Sequence, residues 1–304
     1  MDIKYRNRNK NMSKITIPEL KIYGYSSMNT VKAFLLLFGY EVGRLKLKYP
    51  TNYIDYLPGY KTFIIDKLLH VVSTYIMVVE DCHDYATACT IVRTLIDSVS
   101  AYHLVYHSGT TDEVLLRHYL YILDGASQKI EILKRRSLHN TDKITPQEYQ
   151  ELSEQLSFME NNMEHAQNVC VRKIKSLSIY KSYRQEIDTL IKDKNWKYIN
   201  IEKSNHKNTY SWAQIEALFP TKHRKLYSDL CAYLSNFVHG LSMSNLAFDT
   251  EDKDMYESLS ANVALVLNFM HESMINDFEV DIDFLTDGFI ESPNFNAYCS
   301  FLER

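Results

Sequence analysis

Glycine and proline are scarce in this chain. Its 304 residues include 8 glycines and 6 prolines, against the roughly 12% that the two contribute to an average soluble protein. Sandwiches, barrels and doubly wound sheets need many glycine and proline turns, so the shortage disfavours them. It also excludes a glycine-rich phosphate cradle, and an anion site would have to be built from side chains between helices. The five cysteines (Cys82, Cys89, Cys170, Cys231 and Cys299) are odd in number and form no C-x-x-C pair. A disulfide framework or zinc knuckle is therefore not expected, and a cytoplasmic setting is. The sequence reads as lacking a membrane span of ~18 apolar residues, since the candidate run 31–37 is interrupted by Lys32. Lys4, Arg6, Arg8, Lys10 and Lys14 precede no apolar core of signal-peptide length, so no membrane association is expected.

What is present suits helices. Residues 60–108, 147–219 and 241–287 contain no proline, and 45% of the chain is hydrophobic, an ordinary share for a globular protein. The net charge of −4 is unevenly placed. Residues 249–304 hold 13 acids and 2 bases, and residues 1–248 hold 32 bases and 25 acids. A basic body with an acidic tail is compatible with a polyanion partner.

Local signals divide the chain. Residues 1–25 are polar, basic and aperiodic and read as a flexible arm. A first helix is expected over 29–48 and a loop over 50–59. The tract 60–107 is too long for one ordinary helix and divides near Asp81 to Asp84. Phe63, Ile64, Lys67, Leu68, Val71, Tyr75 and Val78 recur at helical spacing in its first half, as do Cys89, Val92, Ile96, Val99, His103 and Tyr106 in its second. Capping boxes open helices at Thr110, Thr145 and Ser211. The first extends toward Arg136 and contains Gly125, a kink candidate; the second extends toward Tyr183, long enough to protrude or break. Residues 196–202 alternate and read as a short extended segment. Further helices are expected over 222–239, stopped by Gly240, and over 253–278. The fold class is all-α: an irregular bundle of about eight helices, with one domain over 26–278 and an acidic tail over 279–304.

Four constellations could carry chemistry. Arg93 and Asp97 stand at i, i+4 on one helix face. They either anchor neighbouring helices or line a polar site. On the helix that carries the segment 233–240, Ser228, Ala232, Ser235 and His239 share a face. His239 there is a general base or phosphate donor, or a helix-ending imidazole that complements the dipole. His83-Asp84, with His70, Asp97 and Asp124, has the residue types of a metal-dependent HD-type phosphohydrolase, but its surroundings lack that family's apolar lead and Gly-Lys continuation; no metal site or cofactor is favoured. Arg172, Lys173, Lys175, Lys181 and Arg184, interleaved with Tyr180 and Tyr183, form a basic, aromatic stretch that suits nucleic acid or a solvated helix face.

The Arg-x-x-x-acid helix at Arg93 and Asp97 and the Leu-Ser-x-x-x-His-Gly run at Leu234, Ser235, His239 and Gly240 resemble an uncharacterised family of helical bacterial proteins. That family is similar to the HEPN class. The resemblance covers roughly residues 60–278. It implies a HEPN-like helical core and RNA binding or cleavage in stress or phage defence. Active HEPN ribonucleases separate an arginine from a histidine by four to six residues on one helix; here those positions hold Leu234, Tyr233 and Ala232. As an enzyme, this chain would be a metal-independent ribonuclease with His239 as base, Arg93 as phosphate-binding cation and Asp97 orienting one of them. The competing expectation is a non-enzymatic protein-interaction module in which the polar quartet locks helices together. RNA or another protein is the expected partner, and a homodimer is compatible with either reading.

Overall fold

A computed structural model describes residues 27–135, 144–203, 208–218, 224–238 and 253–303. These hold twelve α-helices and no strand. The fold is all-α. Contacts gather into two compact units, one within residues 1–99 and 221–304 and the other within 100–220.

The first unit is organised on α1 (Ser27–Lys48). Its Val31, Phe34, Phe38, Val42 and Leu45 recur every three or four residues and are at most 1% exposed, which is the apolar stripe a core helix needs. Helices α2 (Leu57–Met77), α10 (Lys253–Phe278), α11 (Ile282–Thr286) and α12 (Pro293–Leu302) all pack on it. Helix α2 begins three residues before position 60 because Pro58 occupies its first turn, where the fixed φ and missing N–H of proline are tolerated. Gly59 is required by close approach: a Cβ there would stand 1.8 Å from the Thr51 carbonyl oxygen. The stretch Leu57–Cys82 has the length and mean hydropathy of a membrane span, which the sequence reading missed; its buried face, including Ile65, Leu68, Val72 and Tyr75, lies in the core.

The break near Asp81 to Asp84 is a π-turn over Val78–Cys82. His83 follows in the left-handed region, at φ 52°. Asp84 then opens α3 (Tyr85–His107), its carboxylate accepting from the Thr87 amide at 3.0 Å and the Thr87 hydroxyl at 2.5 Å. Helix α9 (Arg224–Val238) also belongs to this unit and buries Cys231, Leu234 and Phe237; residue 239, where it was expected to end, lies outside the described residues. The segment read as an acidic tail carries α11 and α12. The residues between its acids explain this: Leu285, Phe289, Tyr298 and Leu302 are buried, and the Tyr40 hydroxyl and Arg44 Nε donate to the carbonyls of Asp287 (2.6 Å) and Phe284 (3.3 Å). The basic arm 1–25 lies outside the described residues.

The second unit contains the end of α3 and the antiparallel pair α4 (Thr111–Arg135) and α5 (Pro146–Ser176). Thr110 and Glu113 exchange capping hydrogen bonds at 3.4 and 2.8 Å, as do Thr145 and Glu148 at 3.2 and 2.7 Å. Helix α4 runs unbroken through Gly125. The long helix after Pro146 ends at Leu177, whose ψ of 146° is extended. Two shorter helices follow, α6 (Ser178–Ser182) and α7 (Arg184–Asp193). The alternating stretch 196–202 forms one antiparallel bridge, Tyr198 to Thr209, before α8 (Trp212–Glu216).

Candidate functional site

Three members of the sequence quartet meet in the first unit. One turn separates Arg93 from Asp97 on α3, and Arg93 Nη1 donates to Asp97 Oδ1 at 2.6 Å. Arg93 Nε donates to Ser235 Oγ at 3.0 Å, across to α9. Ser235 in turn donates its single proton to the Cys231 carbonyl at 2.8 Å, which turns a lone pair toward Arg93. The Arg93 side chain is 12% exposed and that of Asp97 is 32% exposed. This is a guanidinium held in one orientation by a carboxylate and a hydroxyl, and charge-assisted hydrogen bonds of this kind are about twice as strong as neutral ones. A planar, permanently charged fork so oriented can meet a phosphate or fasten two helices. The fourth member, His239, lies outside the described residues.

A cleft of about 340 Å³ opens on the same two helices and α10, lined by Tyr85, Leu230, Tyr233, Asp254, Met255 and Asn262. The Tyr85 and Tyr233 hydroxyls are 3.4 Å apart. Tyr85 also meets Phe237 and Tyr256 edge-on, with ring centroids 5.8 and 5.3 Å apart. Burial, and then the hydrogen bond with Tyr233, hold the Tyr85 hydroxyl far above the tyrosine range. The Cys89 thiol one turn farther along α3 is pushed up to about 12, chiefly by burial, so it is not a thiolate nucleophile at neutral pH.

The remaining sequence candidates are dispersed. His83 accepts from the Tyr256 hydroxyl through its carbonyl, at 2.9 Å. Asp84 is a helix cap, and the hydrogen bonds from Thr87 hold its carboxyl below the usual range. His70 Nδ1 lies 2.8 Å from the Asp66 carbonyl. Asp124 Oδ2 accepts from Trp196 Nε1 at 3.2 Å. Among the described residues no three histidine, cysteine or carboxylate side chains converge as a metal site would require. The basic stretch is divided by the break at Leu177: Arg172, Lys173 and Lys175 end α5, Lys181 lies on α6 and Arg184 opens α7. Its tyrosines are engaged with acids, Tyr180 with Asp188 at 2.9 Å and Tyr183 with Glu202 at 3.4 Å.

Sequence reasoning missed three groupings. The Tyr85–Tyr233 cleft carried no signal, because 23 tyrosines dilute any single one. The buried Glu41–His271 pair joins residues 230 apart. The third, Trp196 with Trp212, had a usable signal: they are the chain's two tryptophans, sixteen residues apart in a short polar stretch. Compared with family models, with curated proteins and with solved structures, the chain matches none.

Proposed function

We propose that this chain is a HEPN-like helical protein that engages RNA at the seam between α3 and α9, in cytoplasmic stress or phage defence. The observation that carries the reading is the 3.0 Å hydrogen bond from Arg93 to Ser235. It brings a cation oriented by Asp97 to the helix that leads into His239, four residues beyond Ser235 in the sequence. Arg93 serves as the phosphate-facing cation and Asp97 and Ser235 position it. Where RNA is cleaved, His239 takes the 2′-hydroxyl proton as general base, and the attack of that oxygen on the neighbouring phosphate expels the 5′-oxygen.

The test is incubation of the protein with total RNA beside His239→Ala and Arg93→Ala variants, with a labelled-RNA binding assay in parallel. Cleavage lost in both variants supports the nuclease reading. Binding weakened by Arg93→Ala without cleavage in any sample supports RNA binding alone. The second reading, a non-enzymatic interaction module with Arg93 as an interhelical lock, is favoured by the low exposure of the Arg93 side chain. Under it, Arg93→Ala lowers stability and leaves RNA binding unchanged.

A further inference from the structure

Both tryptophans of the chain lie together in the second unit. Trp196 is the anchor: it is 5% exposed, and its indole N–H is spent on Asp124 at 3.2 Å. Tyr121, one turn before Asp124 on α4, stands edge-on to Trp196 with centroids 5.0 Å apart and planes at 89°. Trp212 meets Trp196 at 6.2 Å and 68°. It is the first residue of α8, and the Ser211–Gln214 capping box fixes that first turn. The buried indole is ordinary core. The outer rings are not, because Trp212 is 43% and Tyr121 38% exposed, and neither the bridge nor the cap requires a large aromatic in solvent.

One cation stands at the outer ring, while the Asp124 carboxylate lies on the indole N–H side of Trp196. Lys197 Nζ lies 5.9 Å from the Trp196 ring centroid and 5.3 Å from that of Trp212. Residues 192–203 hold four lysines against two acids. Exposed rings beside cations match the two halves of a nucleotide: the base has a π-face that stacks on an aromatic ring, and the phosphate meets an ammonium.

We infer that Trp212, supported by Trp196 and Tyr121 and flanked by Lys197, is a stacking platform for single-stranded nucleic acid. A base packs on the Trp212 indole and an adjacent phosphate is met by Lys197. No base edge is read, so the platform accepts any sequence. The site shares its ligand class with the RNA reading above and uses different residues in a different unit, so either can fail alone.

The two tryptophans make the test direct, since all intrinsic tryptophan emission comes from this cluster. The full chain is titrated with ten-nucleotide oligouridylate and oligothymidylate at low salt, following tryptophan emission and the anisotropy of the labelled strand. The expected result is saturable quenching. Trp212→Ala weakens binding roughly tenfold and Trp212→Phe restores most of it. Lys197→Ala weakens binding and lowers the slope of log affinity against log salt by about 0.7. Arg93→Ala leaves the quenching unchanged. Absence of quenching by either strand overturns the inference, as does equal affinity in Trp212→Ala with circular dichroism intact. Quenching by a proline-rich peptide and by neither strand would make the cluster a peptide groove and overturn it equally. Quenching by the oligouridylate alone keeps the platform and restricts it to RNA. Loss of RNA cleavage in Arg93→Ala with quenching intact bears on the α3–α9 reading alone.

Discussion

Removing either partner of the Glu41–His271 pair is predicted to be among the most damaging single changes in the first unit. Glu41 Oε2 and His271 Nε2 are 2.7 Å apart, with side chains 0% and 1% exposed. Glu41 interrupts the apolar stripe of α1 and His271 that of α10, and Phe38 closes over the imidazole edge-on at 5.3 Å. Each group has surrendered its hydration, and the 2.7 Å contact between them offsets part of that cost. Truncating one member of such a buried pair costs about 3–5 kcal/mol, whereas replacing both with apolar groups of similar volume is often neutral or stabilising. Glu41→Leu and His271→Leu should each lower stability by about that amount, roughly a fifth or more of the 5–15 kcal/mol typical of a domain. The double variant should recover most of it, with a coupling of about 3 kcal/mol or more in its favour. Urea unfolding at pH 7 followed by far-ultraviolet circular dichroism measures all four proteins. Single variants within about 1 kcal/mol of the parent, or a double variant whose loss equals the sum of the singles, would refute the argument that desolvation is the controlling cost.

Three further outcomes follow from local geometry. Gly59→Ala should destabilise by about 1–3 kcal/mol, because the new methyl meets the Thr51 carbonyl at 1.8 Å; thermal melts check this, and an unchanged midpoint would mean that the turn before α2 yields freely. Exposed Cys82 should react first with a thiol reagent at pH 8 and Cys89 and Cys170 only after unfolding, since burial pushes both buried thiols up to about 12; a Cys82→Ser variant that keeps the fast phase contradicts the assignment. Asp84→Ala should cost about 1 kcal/mol through loss of the α3 cap. Its folded carboxyl is held below the ordinary carboxylate value, so the stabilisation is present above that value and is lost as pH falls through the folded one. Urea midpoints of the two proteins should therefore converge in acid, and a constant gap down to pH 2 would exclude the carboxylate as its source.

The elements legible in the sequence are those written by adjacent residues. Thr110, Thr145 and Ser211 each lie three residues before a Glu or Gln, and each opens a helix by the expected reciprocal bonds. The π-turn stands where Asp81 to Asp84 interrupt the apolar spacing. Helix α10 begins and ends at the expected residues. Other features depend on partners distant in the chain. Nothing around Leu177 marks a stop, since it is neither glycine nor proline, yet the chain turns there as Asp112 takes the Ser178 hydroxyl and the Ile179 amide. Residues 279–303 hold six acids and no base, which reads as a tail, while the buried Leu285 and Phe289 stand nine or more positions before Tyr298 and Leu302, so no continuous stripe declares the helices.

The candidate site divides along the same line. The Arg93–Asp97 pair is a local i, i+4 feature and was visible directly. Its engagement with Ser235, 142 residues away, was reachable only through the resemblance, because no periodicity links α3 to α9. The aromatic cluster of the second unit shows why composition can mark what motif spacing cannot. Tyrosine is too frequent here for any one to stand out, but two tryptophans in 304 residues are few enough that their nearness in sequence is informative. Trp212 stands at the start of a short helix whose first turn is held by the Ser211–Gln214 cap bonds. An arginine already tied to Asp97 and Ser235 has, by contrast, committed part of its hydrogen-bonding capacity to the fold. On the RNA reading, an incoming phosphate shares the charge of Arg93 with Asp97, whereas a base on Trp212 meets a ring that is already 43% exposed.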